Sequence, residues 1–132
     1  MSEVQVRIRV AGEHYALPVG QVLEVADLGE ISPVPGSPPE ILGVRNLRGQ
    51  VLPVLALGAM LGLAASEPRR VVVAESGELR AGLLVDDVLD VEELPPSTEQ
   101  VESAYVLGAC LVEGELIGAL DVDAVLTPVA AH

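Results

Sequence analysis

Residues 42–61 read LGVRNLRGQVLPVLALGAML, and residues 107–126 read LGACLVEGELIGALDVDAVL. Laid one on the other without a gap, they agree at six of twenty positions, with Gly43 on Gly108 and Gly49 on Gly114. Most of the remaining positions pair apolar with apolar. A second pair of stretches, ALPVGQVLEVADL (16–28) and GLLVDDVLDVEEL (82–94), agrees at six of thirteen, and Glu24 falls on Asp90. Two segments matching at offsets of 65 and 66 residues mark a tandem duplication.

Each copy reads as short strands. Val4, Val6, Ile8 and Val10 alternate with Gln5, Arg7 and Arg9, the period of a half-buried strand. HYALPV follows the turn AGE and predicts a hairpin. VLEV (22–25) fits a strand or a short helical turn. ISPVPGSPPE (31–40) has four prolines in ten residues and predicts a loop. Residues 41–57 predict two strands joined by a turn at Arg48-Gly49. Val51, Leu52, Val54, Leu55 and Leu57 read as the buried residues of the second strand. GAMLGL predicts a short helix closed by Gly62. The second copy repeats the plan: a hairpin over 70–88, a loop over 93–101, a hairpin turning at Glu113-Gly114, and a short helix with Asp121 near its N-cap. Sheets of about five short strands protect their edges by curling into barrels. The expected fold is all-β: two small barrels sharing apolar surface within one domain, with short helical turns. The repeats run over about 4–68 and 69–127, and exchange of strands between the barrels stays open.

Composition narrows the function. The chain has 132 residues, half of them apolar, with two Tyr and neither Phe nor Trp, so its core must be aliphatic. The net charge of −13, with seven arginines and no lysine, argues against nucleic acid and against an anionic membrane surface as partners. One cysteine, Cys110, permits no disulfide framework and fits a reducing cytoplasm. The N-terminus lacks the basic start and apolar core of a signal peptide. The longest apolar run, 51–65, is interrupted by Pro53, Gly58 and Gly62 and is too short to cross a bilayer.

Catalytic signatures are missing. The histidines are His14 and His132, and no metalloprotease, redox, nucleophile-elbow or phosphate-loop motif occurs. Cys110 lies mid-strand and reads as a buried thiol. Asp86-Asp87, Glu92-Glu93 and Asp121-x-Asp123 lack the glycine and following glutamate of a calcium loop and read as a solvated acidic face. A binding module without metal or cofactor is the expectation. Within it, Arg48 stands out. Glu24 and Arg48 are of opposite charge, whereas their counterparts Asp90 and Glu113 are both acidic. The duplication kept the turn and changed its charge. Arginine's planar fork recognises carboxylates, which makes Arg48 a candidate feature of a partner-binding surface. A solvated turn arginine of little consequence is the competing reading.

The stretch ISPVPGSPPEILGVRNLRGQVLPVLAL (31–57) resembles the signature of CheW-like chemotaxis coupling domains: a Pro-rich loop, Gly-Val, Asn-Leu-Arg-Gly, then Val-Pro-Val. GEHYALPVGQVLEV, AGLLVDDVLDVEEL and YVLGACLVEGELIGALDVDAVL resemble further parts of that family, so the likeness covers about residues 4 to 127. It implies two five-stranded SH3-like barrels in a cytoplasmic, non-enzymatic adaptor. Its implied partners are the regulatory domain of the histidine kinase CheA and the cytoplasmic tip of a chemoreceptor, with the adaptor a monomer or weakly self-associating. It implies partner-binding roles for Arg48, Glu24, Asn46 and Gly49. It also implies that Val6, Val19 and Val22 are apolar positions of the first barrel facing the kinase, although valines at strand spacing also read as core. Where the family often carries Asp-Leu-Arg after the Val-Pro-Val strand, this chain has Ala56-Leu57-Gly58, which puts a contact at that helix start in doubt. The chain stops soon after the second barrel, at His132, so a long C-terminal helix is not expected. An adaptor of a chemosensory pathway other than swimming, and a small β-barrel ligand carrier or enzyme, are the alternatives.

Overall fold

A computed structural model describes residues 2–130; Met1, Ala131 and His132 lie outside the described residues. Ten strands run in chain order: β1 (Glu3–Val10), β2 (Glu13–Pro18), β3 (Val22–Asp27), β4 (Ile41–Leu47), β5 (Gln50–Leu55), β6 (Arg70–Ser76), β7 (Leu79–Val85), β8 (Asp87–Leu94), β9 (Val106–Val112) and β10 (Glu115–Leu120). A 3-10 turn over Val19–Gln21 precedes β3, and three helices of one turn each follow: α1 (Leu57–Met60), α2 (Val122–Val125) and α3 (Thr127–Ala130).

The strands form two five-stranded sheets, ordered β3-β6-β7-β5-β4 and β8-β1-β2-β10-β9. The two orders are the same once each strand is replaced by its partner in the duplication, β3 by β8, β6 by β1, β7 by β2, β5 by β10 and β4 by β9. Each sheet thus takes three strands from one repeat and a hairpin from the other. We call the sheet with β3, β4 and β5 the first barrel and the sheet with β8, β9 and β10 the second. Within each, the exchanged hairpin joins its neighbour through a parallel ladder, β5 with β7 and β10 with β2.

Burial accounts for the exchange. On β1, Val6, Ile8 and Val10 point into a core that also takes Leu17, Val72, Ala74, Leu83 and Val85. This core lies between the two exchanged hairpins β1–β2 and β6–β7, so each hairpin buries one face between the barrels and the other inside its barrel. The first barrel's interior holds Leu52, Val54, Val71, Val73 and Leu84. The second barrel's interior holds Ala16, Leu94, Cys110 and Ile117. Each fully buried aliphatic side chain contributes about 1.5–3 kcal/mol.

Three hairpins turn through two-residue loops with both residues left-handed: Ala11-Gly12 (φ 49°, 82°), Arg48-Gly49 (54°, 83°) and Glu113-Gly114 (49°, 82°). This geometry matches the twist of the flanking strands. One expectation fails on β5. Val51 faces outward and is 64 % exposed, because it pairs with Asn46 on the outer face while Leu52 and Val54 fill the interior. Leu57, read as the end of that strand, is buried on α1 instead.

Candidate functional site

In the sheet of the first barrel, β3 and β4 are the two edges. No ladder joins them among the described residues; the isolated pairing of Ser32 with Val44 ties β4 to the Pro-rich loop instead. Two arginine–carboxylate pairs span the gap. Arg48, in the β4–β5 turn, donates from Nη1 to both oxygens of Glu24 on β3, at 2.8 and 2.9 Å. Arg45, on β4, donates from Nη2 to Asp27 Oδ1 on β3 at 3.0 Å.

The turn that aims Arg48 is itself tied. Asn46 Oδ1 accepts from the Gly49 amide at 3.0 Å, closing the loop around Arg48. Gly49 meets no atom at its missing Cβ, so its requirement is its φ of +83°, which side chains rarely tolerate. Asn46, Arg48, Gly49 and Glu24 therefore form one assembly. The Arg48 side chain is 77 % exposed and Glu24 30 %, so the pair lies at the surface and adds about 0–1 kcal/mol to stability. A fixed, solvent-facing guanidinium remains available for a second acceptor.

The same barrel exposes several aliphatic residues. On β3, Leu23 and Val25 flank Glu24 and point outward, while Val51 points outward from β5. Val19 is exposed on the 3-10 turn, and Val22 is part-buried against the shared core. Val6 is placed elsewhere. It belongs to β1 in the second barrel's sheet and is 4 % exposed in the core between the hairpins, because its alternation with Gln5 and Arg7 turns it inward. It does not reach the first barrel's surface.

The sequence reading passed over Arg45. Its signal was the alternation Ile41, Gly43, Arg45, Leu47, which puts an arginine on the inner face of a strand. The side chain is 12 % exposed and Nη1 is buried with no partner. Gly29, with φ +63°, lies directly on the guanidinium and leaves no room for a Cβ.

Among the described residues, the equivalent seam of the second barrel, between β8 and β9, has no such cation. Asp90 turns back to accept from the Val91 amide at 2.8 Å, and Glu113 stands where Arg48 stands. Among the described residues no group of acidic, Cys or His side chains is arranged to hold a metal. His14 is engaged on both ring nitrogens: Arg7 Nη2 lies 3.0 Å from Nδ1, and Nε2 lies 3.7 Å from a Glu115 carboxylate oxygen. Burial pushes the Cys110 thiol above its ordinary pKa, so it is protonated rather than nucleophilic.

Two further depressions adjoin between the barrels. One, of about 450 Å³, is lined by Pro38, Glu40, Tyr105, Ala124 and Pro128 among others. The other, of about 310 Å³, shares Glu40 and Tyr105 and adds Met60. Together they make a shallow groove where the Pro-rich loop meets α1, α2 and α3.

Two barrels around aliphatic cores, surface features made of a fixed ion pair and exposed aliphatics, and titratable groups tied in structural contacts define a protein-binding scaffold. The model of the CheW-like domain matches residues 5–129. The chemotaxis protein CheW of Rhizobium meliloti is 32 % identical over 131 residues, covering 91 % of this chain and 84 % of that one. Protein FrzA of Myxococcus xanthus is 40 % identical over 90 residues, 66 % of this chain and 56 % of that protein. The crystal structure of the scaffolding protein TtCheW from Thermoanaerobacter tengcongensis superposes with a TM-score of 0.79 at 28 % identity, covering 92 % of this chain and 90 % of that chain. The chain belongs to the CheW-like domain family. It is a non-enzymatic adaptor of chemotaxis-type signalling with the two-barrel fold of that family. No helix among the described residues is long and apolar enough to cross a membrane.

Proposed function

We propose that this adaptor couples a chemoreceptor's cytoplasmic tip to the regulatory domain of a CheA-type histidine kinase, and that Arg48, Glu24, Asn46 and Gly49 form the contact feature of the first barrel. The observation that carries this reading is the pairing of Arg48 with Glu24: a guanidinium held at the surface by a tied turn, on a barrel that also exposes Val19, Leu23, Val25 and Val51. Aliphatic contact area next to a pre-positioned arginine is the composition from which interface hot spots are made. Val22 packs against the core between the barrels. The groove lined by Pro38, Tyr105 and Pro128 is assigned to the receptor, whose helical tip would lay an apolar stripe along it. The resemblance implies that the kinase's regulatory domain is homologous to this one, so barrel-to-barrel contact would give the kinase a shape match on the first barrel.

The test mixes the purified chain with a cognate kinase regulatory domain and, separately, with a receptor cytoplasmic fragment. Complexes at micromolar concentration are expected with both, with Arg48→Ala weakening the kinase complex and Tyr105→Ala the receptor complex. Absence of both complexes would remove the assignment. Loss of neither on substitution would move the contact faces elsewhere on the molecule.

A further inference from the structure

The two barrels are copies, yet their interiors are filled differently. In the first, the Arg45 side chain runs inside the barrel and reaches Asp27 beside Gly29. The duplication places Cys110 where Arg45 stands, Ala119 where Val54 stands and Pro18 where Leu84 stands. The second barrel consequently has a cavity of about 260 Å³, and Cys110, Ala119 and Pro18 all line it. Pro95, the counterpart of Gly29 at the 66-residue offset, lines it too. The space is therefore the one that an arginine side chain fills in the sister barrel.

Its lining suits a chain with a charged end. Ala16, Leu94, Cys110 and Ile117 make an apolar floor. Glu3 and Gln5, neighbours along β1, bring a carboxylate and an amide to the wall. The interior arginine of this barrel, Arg7, is already occupied, with Glu92 at 3.6 Å and His14 at 3.0 Å. Among the described residues nothing cationic lines the cavity itself. The volume exceeds the about 150 Å³ in which an apolar protein cavity holds benzene. A short aliphatic stem buries its methylenes while its charged head stays at the water, the arrangement long basic side chains adopt.

The geometry points to the second barrel as a binding site for an alkyl cation, a short aliphatic chain ending in a guanidinium or ammonium group, with the stem against Leu94, Cys110 and Ile117 and the head at Glu3. The site lies apart from the Arg48 face and the inter-barrel groove and goes beyond the coupling function. A free small molecule and an arginine displayed by another protein carry this chemistry alike, and the experiment separates them.

The full chain, labelled for amide NMR, is titrated with n-butylguanidinium, with neutral n-butylurea as the shape control. Shifts at Ala16, Leu94, Cys110 and Ile117 are expected with the cation and are weaker with the urea. Glu3→Gln should remove the preference for the cation. Ala119→Val, which copies Val54 of the first barrel, should abolish the response with the melting temperature intact. If that variant fails to fold, Glu3→Gln, a surface change, decides alone. A Gly-Ser-Gly-Arg-Gly-Ser peptide that moves the same resonances assigns the site to a displayed arginine; a response to the free cation alone assigns it to a small molecule. No shift with either, or equal binding of cation and urea, overturns the proposal.

Discussion

Arg48 and Glu113 hold the same backbone conformation, φ 54° and 49°, at the first position of equivalent hairpin turns, but only Arg48 is matched to a carboxylate, Glu24. Both residues bear the cost of a left-handed conformation without being glycine, about 1 kcal/mol each. In the first barrel the cost is offset by an ion pair worth about as much at most. The turn is thus energetically indifferent to the arginine, which is consistent with the contact role proposed for it.

From this follows a separation of fold from binding. Arg48→Gly removes the guanidinium and relieves the left-handed strain together. Thermal unfolding should show stability within about 1 kcal/mol of the parent. Affinity for the kinase domain should fall by about tenfold or more, the loss expected when an interface arginine is truncated. A large fall in melting temperature with unchanged affinity would make Arg48 a folding residue.

Much of this was legible in the chain. The alternation of Val4, Val6, Ile8 and Val10 announces β1, and Arg48-Gly49 with Glu113-Gly114 announces two matching turns. The pairing of β1 with β8 was not legible, because period-two alternation says that a face is buried and not against what. Val6 shows the consequence: its inward face belongs to a core that only the exchanged hairpins create. Val51 shows the converse, an aliphatic residue in an apolar run whose register with Asn46 sends it outward. Arg45 went unnoticed since an arginine on an inner face contradicts ordinary burial preference, and only the edge position of Asp27 explains it.

Arg45 supplies the second prediction. Its cation is the buried member of the pair, one of its nitrogens is buried unpaired, and Asp27 is 76 % exposed. Removing the arginine therefore strands no buried charge, the event that makes breaking such pairs costly. Arg45→Met, which keeps the stem, should leave stability within about 1 kcal/mol of the parent. Arg45→Ala should cost about 2 kcal/mol or more through the cavity it opens. Denaturant midpoints check both, and a Met variant as unstable as the Ala variant would show that the ion pair itself holds the seam.

The third prediction concerns alkaline pH. Burial lifts the Cys110 thiol above its ordinary value of 9.0, an effect to which Glu92 adds and which Arg7 and a backbone hydrogen bond oppose. Burial, then the charge of Glu13, likewise lifts Tyr15 above 10.0. Both groups hold their protons more tightly in the folded chain, so their contribution is complete below the unfolded values and is lost as pH rises through the folded ones. Stability should decline above about pH 9, and Cys110→Ala should flatten the earlier part of that decline. Melting temperatures measured from pH 7 to pH 11 test this; the same slope in parent and variant would sink it.

The fourth prediction uses one repeat to repair the other. Asp121 caps α2, its Oδ1 accepting from the Ala124 amide at 3.2 Å. The duplication puts Ala56 at that place before α1, with a similar backbone (φ −81°, ψ 73° against −88°, 91°) and no side-chain cap. An Asp at 56 has the conformation required to reach the amide three residues on, and it adds a negative charge beside the exposed amides of the first turn. Ala56→Asp should stabilise the chain by about 1 kcal/mol, and Asp121→Ala should destabilise it by a similar amount. Calorimetry should place the first variant about 3–5 °C above the parent. A neutral or negative effect would mean that α1 is held by the burial of Leu57 alone. If the gain appears and the kinase or receptor complex strengthens with it, the absent acid at this helix start is a loss of function as well as of stability, since the same carboxylate that caps α1 would then also reach the partner.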